Sequence, residues 1–236
     1  MDIIPVIDLQ HGQVVRAVRG ERSAYRPIVS PLCGSNEPLA VARTLCTHCA
    51  SARLYVADLD ALQGGVSQIA TLRSLLEADP ALELWLDAGF ADASAAQAVL
   101  MALGPHAPRV VPVLGSESLR SRQALAGAFV ALPNAVLSLD RRDGRRLDAA
   151  GCWDAPERWP PRVIVMTLER VGADAGPDLG TLAEVRRKAP HARLIGAGGI
   201  RHPADLVEAA AAGADAWLVA SALHDLRLPA VKASAG

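Results

Sequence analysis

Two aspartates stand in matching surroundings: each ends a short apolar run and has a glycine four positions on. The segments are Ile7-Asp8-Leu9-Gln10-His11-Gly12 and Leu139-Asp140-Arg141-Arg142-Asp143-Gly144. Two carboxyl groups suit acid/base chemistry at carbon, one taking a proton in its ionised form and the other giving one in its neutral form, provided their surroundings separate the two pKa values. An Asp shortly before a Gly is also ordinary turn chemistry, so either residue alone could simply open a turn. The repetition is what favours chemistry for the pair.

A second candidate set could hold an anion. In Gly196-Ala197-Gly198-Gly199-Ile200-Arg201 and Val219-Ala220-Ser221-Ala222-Leu223 the glycines let backbone N–H groups come close to a phosphate, and Ser221 adds a hydroxyl. Gly198, Gly199, Ala220 and Ser221 are therefore the candidate phosphate site, against the plainer reading of glycines used for tight turns. Earlier in the chain, Leu86-Asp87-Ala88-Gly89-Phe90 and Gly115-Ser116 occupy the corresponding places. Gly89, Gly115 and Ser116 are the candidates for a second phosphate, although the Asp87 carboxylate would repel one.

Further candidates carry two readings each. Thr167 either hydrogen-bonds a substrate or an aspartate, or is an ordinary strand residue. Of Asp58 and Asp60, one carboxylate should face the site while the other caps the following turn. Trp153 either stacks on a planar ring or covers a rim. Arg16, Arg19, Arg22 and Arg26 make a basic first loop that either closes over a phosphorylated ligand or is a solvated face. The pair in Cys46-Thr47-His48-Cys49 has the spacing of a metal or redox site but lacks a second ligand pair, so small buried residues in a reducing compartment are the expectation, with no metal and no cofactor.

Positioning these residues requires parallel strands that end at one face. Short runs rich in Val, Ile and Leu fall near Ile3–Ile7, Arg53–Ala57, Glu83–Asp87, Arg109–Leu114, Ala135–Leu139, Val163–Thr167, Ala192–Gly196 and Ala216–Ala220. Helical patterns lie between them, over Pro38–Ala50, Ser67–Ala78, Ala93–Leu103, Ser118–Ala128, Leu179–Lys188 and Pro203–Ala212. Eight alternating strands imply an α/β fold, a single (β/α)8 TIM barrel over residues 1–236, with the site at the carboxyl ends of the strands. The repeats divide it into half-barrels of about 1–130 and 131–236: Ala57 aligns with Thr167, Ala88-Gly89-Phe90 with Gly198-Gly199-Ile200, and Gly115-Ser116 with Ala220-Ser221. Three prolines between Trp153 and Val163 leave the fifth helix shortened or missing. Pro5, inside the first strand, predicts a local irregularity.

With 24 basic against 25 acidic residues, the chain has no electrostatic footprint for nucleic acid or an anionic membrane. No apolar run reaches the roughly 20 residues that span a bilayer, and the first residues lack a basic leader. A cytoplasmic protein with a small phosphorylated partner is the expectation.

As a set, these motifs resemble the HisA/HisF barrels of histidine biosynthesis, most closely the phosphoribosylformimino-aminoimidazole carboxamide ribotide isomerase family (HisA). Nearly the whole chain takes part: Ile4-Pro5-Val6-Ile7-Asp8-Leu9 with Gly12 and Val14-Val15-Arg16, Val56-Ala57-Asp58-Leu59-Asp60, Leu139-Asp140 with Asp143-Gly144, Thr167, Gly176-Pro177, Ala197-Gly198-Gly199-Ile200, and Val219 to Leu223. The resemblance implies a cofactor-independent Amadori rearrangement of an aminoaldose to an aminoketose. It makes Asp8 the base for the C2 proton, Asp140 the acid that opens the ribose ring, and Thr167 an assistant. Gly198, Gly199 and Ser221 would hold one phosphate, and Gly89, Gly115 and Ser116 the other; Asp58, Arg19 and Trp153 remain substrate-binding candidates.

Three places depart from the family pattern. The first phosphate loop reads Asp87-Ala88-Gly89-Phe90-Ala91-Asp92, Leu168 replaces the acidic residue after Thr167, and Val171-Gly172-Ala173 stands for Asp-Gly-Thr. The first loop, Arg19 to Ile28, resembles that of a diverged HisA-like branch in methanogens and methylotrophs, associated with the biosynthesis of one-carbon carrier cofactors such as tetrahydromethanopterin or methanofuran. Three functions therefore stand: the isomerase of a phosphorylated aminosugar, a HisA-like enzyme of another pathway with a single-phosphate substrate, and a non-catalytic barrel with a binding role.

Overall fold

The computed structural model describes residues 1–231. Its strands are β1 (Asp2–Gln10), β2 (Gln13–Arg16), β3 (Arg26–Pro27), β4 (Arg53–Asp58), β5 (Glu83–Asp87), β6 (Val110–Gly115), β7 (Val136–Arg142), β8 (Arg145–Arg146), β9 (Arg162–Thr167), β10 (Arg193–Ala197) and β11 (Ala216–Val219). Eight of them pair in parallel in the order β1, β4, β5, β6, β7, β9, β10, β11, and β11 returns to β1, which closes the barrel.

The strands read as unbroken apolar runs because both of their faces are buried. Alternate side chains enter different cores: Leu84 and Leu86 of β5 pack outward with helix residues such as Leu45 and Leu72, while Trp85 points inward with Tyr55, Val113 and Ile164. Gly196 makes room for the outer packing, since a Cβ there would lie 2.1 Å from the Trp217 ring, which belongs to the helix-facing core.

The helices are α1 (Pro38–Cys49), α2 (Leu59–Leu62), α3 (Ile69–Ala78), α4 (Ala93–Leu103), α5 (Arg122–Ala131), α6 (Leu179–Lys188), α7 (Pro203–Ala211) and α8 (Ser221–His224). Carboxylate or hydroxyl caps start several of them: Glu37 for α1, Asp92 for α4, Ser121 for α5 and Asp178 for α6. The Ser121 cap explains why α5 begins later than the expected Ser118. After β7 there is no full helix. Single 3-10 turns at Cys152–Asp154 and Pro156–Arg158 take its place, as the prolines imply. No described helix is long and apolar enough to cross a membrane.

Pro5 causes no break in β1, contrary to the expectation. Asp2–Pro5 pair with β11 and Val6–Leu9 with β4, so the residue without an N–H sits where the strand changes its ladder. The strands bearing Asp8 and Asp140 both continue into hairpins of one kind. His11 and Gly12 have φ of 50° and 76°, Asp143 and Gly144 of 50° and 72°, so both turns place two central residues in the left-handed region that short hairpins favour.

Candidate active site

Register carries the site. Asp8 of β1 is level with Ala57 of β4, which is level with Asp87 of β5. Across the ring, Asp140 is level with Met166, Met166 with Ala197, and Ala197 with Leu218. All seven line one cavity at the carboxyl ends of the strands, together with Tyr55, Glu117, Arg22, Arg142 and the loops around Gly198 and Ser221. The apolar floor removes water from the carboxyl groups, and burial is the main force on each of them.

Burial raises the Asp8 carboxyl to about 7, with the Arg22 guanidinium pulling it down and Asp87 pushing it up. No described residue donates a hydrogen bond to it. Asp140 is raised further, to about 8, by burial and by repulsion from Glu117 and Asp87. Its Oδ1 lies 2.6 Å from Ser138 Oγ, while Oδ2 accepts from the Glu117 N–H at 3.1 Å and meets Ser116 Oγ at 3.3 Å. Asp87 is raised to about 6 by burial; the Gly89 N–H and the Tyr55 hydroxyl, 3.1 and 2.9 Å away, hold it below the other two. At neutral pH the cavity can hold an ionised and a protonated carboxyl together, the condition for paired proton transfers.

The first loop lies across the mouth. The Arg19 N–H donates to the Val171 carbonyl at 2.8 Å, Arg142 Nη2 donates to the Gly20 carbonyl at 3.1 Å, and Arg22 forms an ion pair with Glu117. Gly172 belongs to the same closure: its φ is 65°, and a Cβ would lie 2.2 Å from the Ala17 carbonyl oxygen.

The candidates read from the sequence divide. Asp8, Asp140, Gly198, Gly199, Ala220 and Ser221 border the cavity. The glycines have a packing duty as well, for a Cβ on Gly199 would lie 2.2 Å from the Gly176 carbonyl oxygen. Thr167 does not reach the cavity. The strand period turns it outward, where its hydroxyl donates to Asp178 at 2.9 Å, under the cap of α6. Asp58 is fully buried and caps α2, accepting from the N–H groups of Ala61 and Gln68, while Asp60 accepts from the His11 N–H. Arg19 borders a separate shallow groove with Arg142 and Glu169. Trp153 neither stacks at the site nor covers its rim: it is fully buried in the outer core where a fifth helix would pack.

The first-half phosphate candidates also have other work. Leu62 covers Gly89, where a Cβ would meet its backbone at 3.1 Å. Ser116 Oγ accepts from the Asp140 N–H at 2.8 Å, and Asp140 Oδ2 lies 3.1 Å from the Cβ position of Gly115. Cys46 and Cys49 lie along α1, their thiols pushed by burial to about 11 and about 12, well above the range of a reactive thiolate.

The family model for "Histidine biosynthesis protein" matches residues 2–229. The chain belongs to that family. Among members of the histidine biosynthesis family, an imidazole-4-carboxamide isomerase of Halothermothrix orenii, whose name carries two 5-phosphoribosyl groups, is 26% identical over 97% of each chain. The isomerase of that name from Myxococcus xanthus is 27% identical over 98% of this chain and 96% of its own. An uncharacterized protein of Methanocaldococcus jannaschii is 26% identical over 95% of this chain and 93% of its own.

Sequence reading passed over four residues that line the cavity of this family member: Tyr55, Glu117 and Arg142 were not singled out, and Asp87 was noted only as repelling an anion. The usable signal was the strand period. Tyr55 lies two positions before inward-facing Ala57, and Asp87 two after Trp85.

Proposed function

We propose that this chain is a cofactor-independent isomerase that converts a phosphorylated aminoaldose to the aminoketose. The observation that carries the reading is one cavity bordered on opposite sides by Asp8 and Asp140, each with a carboxyl raised towards neutrality. The isomerase names of the relatives support the same reaction class. In this reading, neutral Asp140 gives a proton to the ring oxygen as the C1–O bond breaks and the nitrogen lone pair forms C=N. Ionised Asp8 then removes the proton from C2 to give the enaminol; that proton returned to C1, as the C2 hydroxyl gives up its own proton to ionised Asp140, completes the aminoketose and resets both carboxyls. No electrons leave the substrate, so no redox partner is needed.

The phosphate would sit on the loops of Gly198, Gly199, Ala220 and Ser221, with Arg170 also on the cavity wall. A second reading, a substrate with one phosphate in another pathway such as one-carbon carrier cofactor biosynthesis, is favoured by the occupied first-half loops around Gly89 and Ser116. Rescue of a bacterial strain lacking the histidine-pathway isomerase distinguishes them: growth supports the histidine substrate, and its absence supports the second. The reaction itself is tested with phosphoribosylamine adducts in deuterated water. Deuterium should enter the aminoketose product, and unchanged turnover in Asp8→Asn would sink the reading.

A further inference from the structure

Resting on the reading of this cavity as the site of a phosphorylated substrate, we propose that its first-half end takes a cationic or N–H-rich nitrogen group of that substrate, held by Asp87 and Glu117. The substrate would then be polarised, with an anion at one end and a nitrogen cation or donor at the other.

The groups that would hold an anion at the first-half end are committed elsewhere. Leu62 lies against Gly89, whose N–H is turned to Asp87 Oδ1. The Ser116 N–H donates to the Ser138 carbonyl at 2.8 Å, and the Glu117 N–H donates to Asp140. The Ser116 hydroxyl is likewise engaged with Asp140. A phosphate placed here would meet carboxyl groups and find no free donors among these.

What faces the cavity at this end is mostly acceptor, the hydroxyls of Tyr25 and Tyr55 aside. Asp8, Asp87, Glu117 and Asp140 all border it, and Arg22, paired with Glu117, is the cation beside them. Arg142, from the β7 side, turns Nη2 to the Gly20 carbonyl and leaves its buried Nε without a partner among the described residues, and Arg170 is turned to the carbonyls of Ala175 and Gly176 in the loop beside Gly199. The Asp8 carboxylate borders the cavity without a donor from any described residue, so the unfilled demand at this end is for N–H groups and positive charge. Crowded carboxyl groups repel one another, and a bound ammonium or amidinium would relieve that repulsion where a second phosphate would increase it.

The test is a calorimetric series of terminally substituted alkyl phosphates of three to six carbons: aminoalkyl phosphates, hydroxyalkyl phosphates and alkane bisphosphates, with inorganic phosphate as reference. The aminoalkyl compound of best length should bind about tenfold or more tightly than its hydroxyl counterpart, as expected for a cation beside partly buried carboxylates. The bisphosphate should bind no better than the hydroxyl compound. Asp87→Asn and Glu117→Gln, measured separately so that one folding failure does not remove the test, should reduce the amine preference several-fold without weakening inorganic phosphate binding. A bisphosphate that binds tightest, or an amine preference untouched by both variants, overturns the inference. If inorganic phosphate binds and amines gain nothing, this inference falls alone; if no phosphate binds, the reading beneath it falls as well.

Discussion

Asp8 and Asp140 border one cavity from strands four places apart in a closed ring of eight. At that separation neither can share a proton directly with the other, so each titrates mainly against its own walls, with Asp87 raising both. For Asp8 these are an apolar floor and Arg22; for Asp140, an apolar floor, Glu117 and three hydrogen-bonding groups. The more strongly raised carboxyl is the one the proposed reaction uses as an acid.

The first prediction concerns pH and rate. If Asp8 must be ionised and Asp140 protonated, kcat/KM should follow a narrow bell with limbs near pH 7 and pH 8. Because Asp87 and Glu117 also act on these groups, the limbs belong to the cluster rather than to single residues. Glu117→Gln removes a repulsion that raises Asp140, so the alkaline limb should move down. An alkaline limb that stays in place in this variant would break the link between Asp140 and the acid step.

The second prediction concerns pH and stability. Asp8, Asp87 and Asp140 have folded values near 7, 6 and 8, above an ordinary value of 3.8. A carboxyl raised on folding binds more protons in the folded state, so its contribution is fully present below about pH 4 and is lost as pH rises through 6 to 8. The chain should therefore be less stable at pH 9 than at pH 5 by an amount on the order of a few kcal/mol, and should melt at a lower temperature there. Asp140→Asn should recover part of that loss at pH 9 and gain nothing at pH 5, as thermal melts at the two pH values would show.

Much of the fold was legible because each barrel strand is both apolar and short, and because prolines after Trp153 forbid a helix. The site was legible only where backbone placement decides it, as at Asp8, Asp140, Gly199 and Ser221. Thr167 was misplaced because a residue at a strand's end may face either the mouth or the helices, and only the strand period decides. Trp153 was misplaced because a missing helix leaves a void beside the sheet, and a void draws in the nearest large apolar side chain. Glu117 carried no local sign at all: its role depends on Arg22, which reaches it from another loop.

The third prediction follows from that ion pair. Arg22 and Glu117 tie the first loop to the β6 end, and Arg142 holds the Gly20 carbonyl from the β7 end. Arg22→Ala should loosen the loop, and trypsin should then cut faster after Arg19, with cleavage elsewhere unchanged; Arg26 precedes Pro27 and is no trypsin site. Global stability should fall by no more than about 1 kcal/mol, because a partly exposed ion pair contributes little. Cleavage that accelerates evenly along the chain would show general unfolding instead of an opened loop.

The fourth prediction separates packing from ligand binding in the glycine loop. Gly199 has φ of 86°, and a Cβ would lie 2.2 Å from the Gly176 carbonyl oxygen and 2.7 Å from the Pro177 nitrogen. Gly199→Ala combines left-handed strain with a backbone clash and should cost about 2–4 kcal/mol of stability, even with no ligand present. Gly180→Ala, in α6 with only Asp178 Oδ1 within reach at 3.7 Å, should be neutral or gain up to about 1 kcal/mol. Urea melts of the two variants in phosphate-free buffer would test this contrast.

The fifth prediction turns on Trp153. Its ring is fully buried in the outer core, Arg146 lies over it at 5.0 Å, and its indole nitrogen has no hydrogen-bond partner among the described residues. Trp153→Phe therefore removes volume without orphaning a polar partner, and should cost about 1–3 kcal/mol through the cavity it leaves. Because the ring lies outside the barrel wall, KM for any substrate of the cavity should stay within twofold. A residue that stacked on the substrate would behave the other way, with KM rising several-fold and the melting temperature little changed. Measuring both quantities on one variant decides whether Trp153 fills the gap left by the missing fifth helix or belongs to the site.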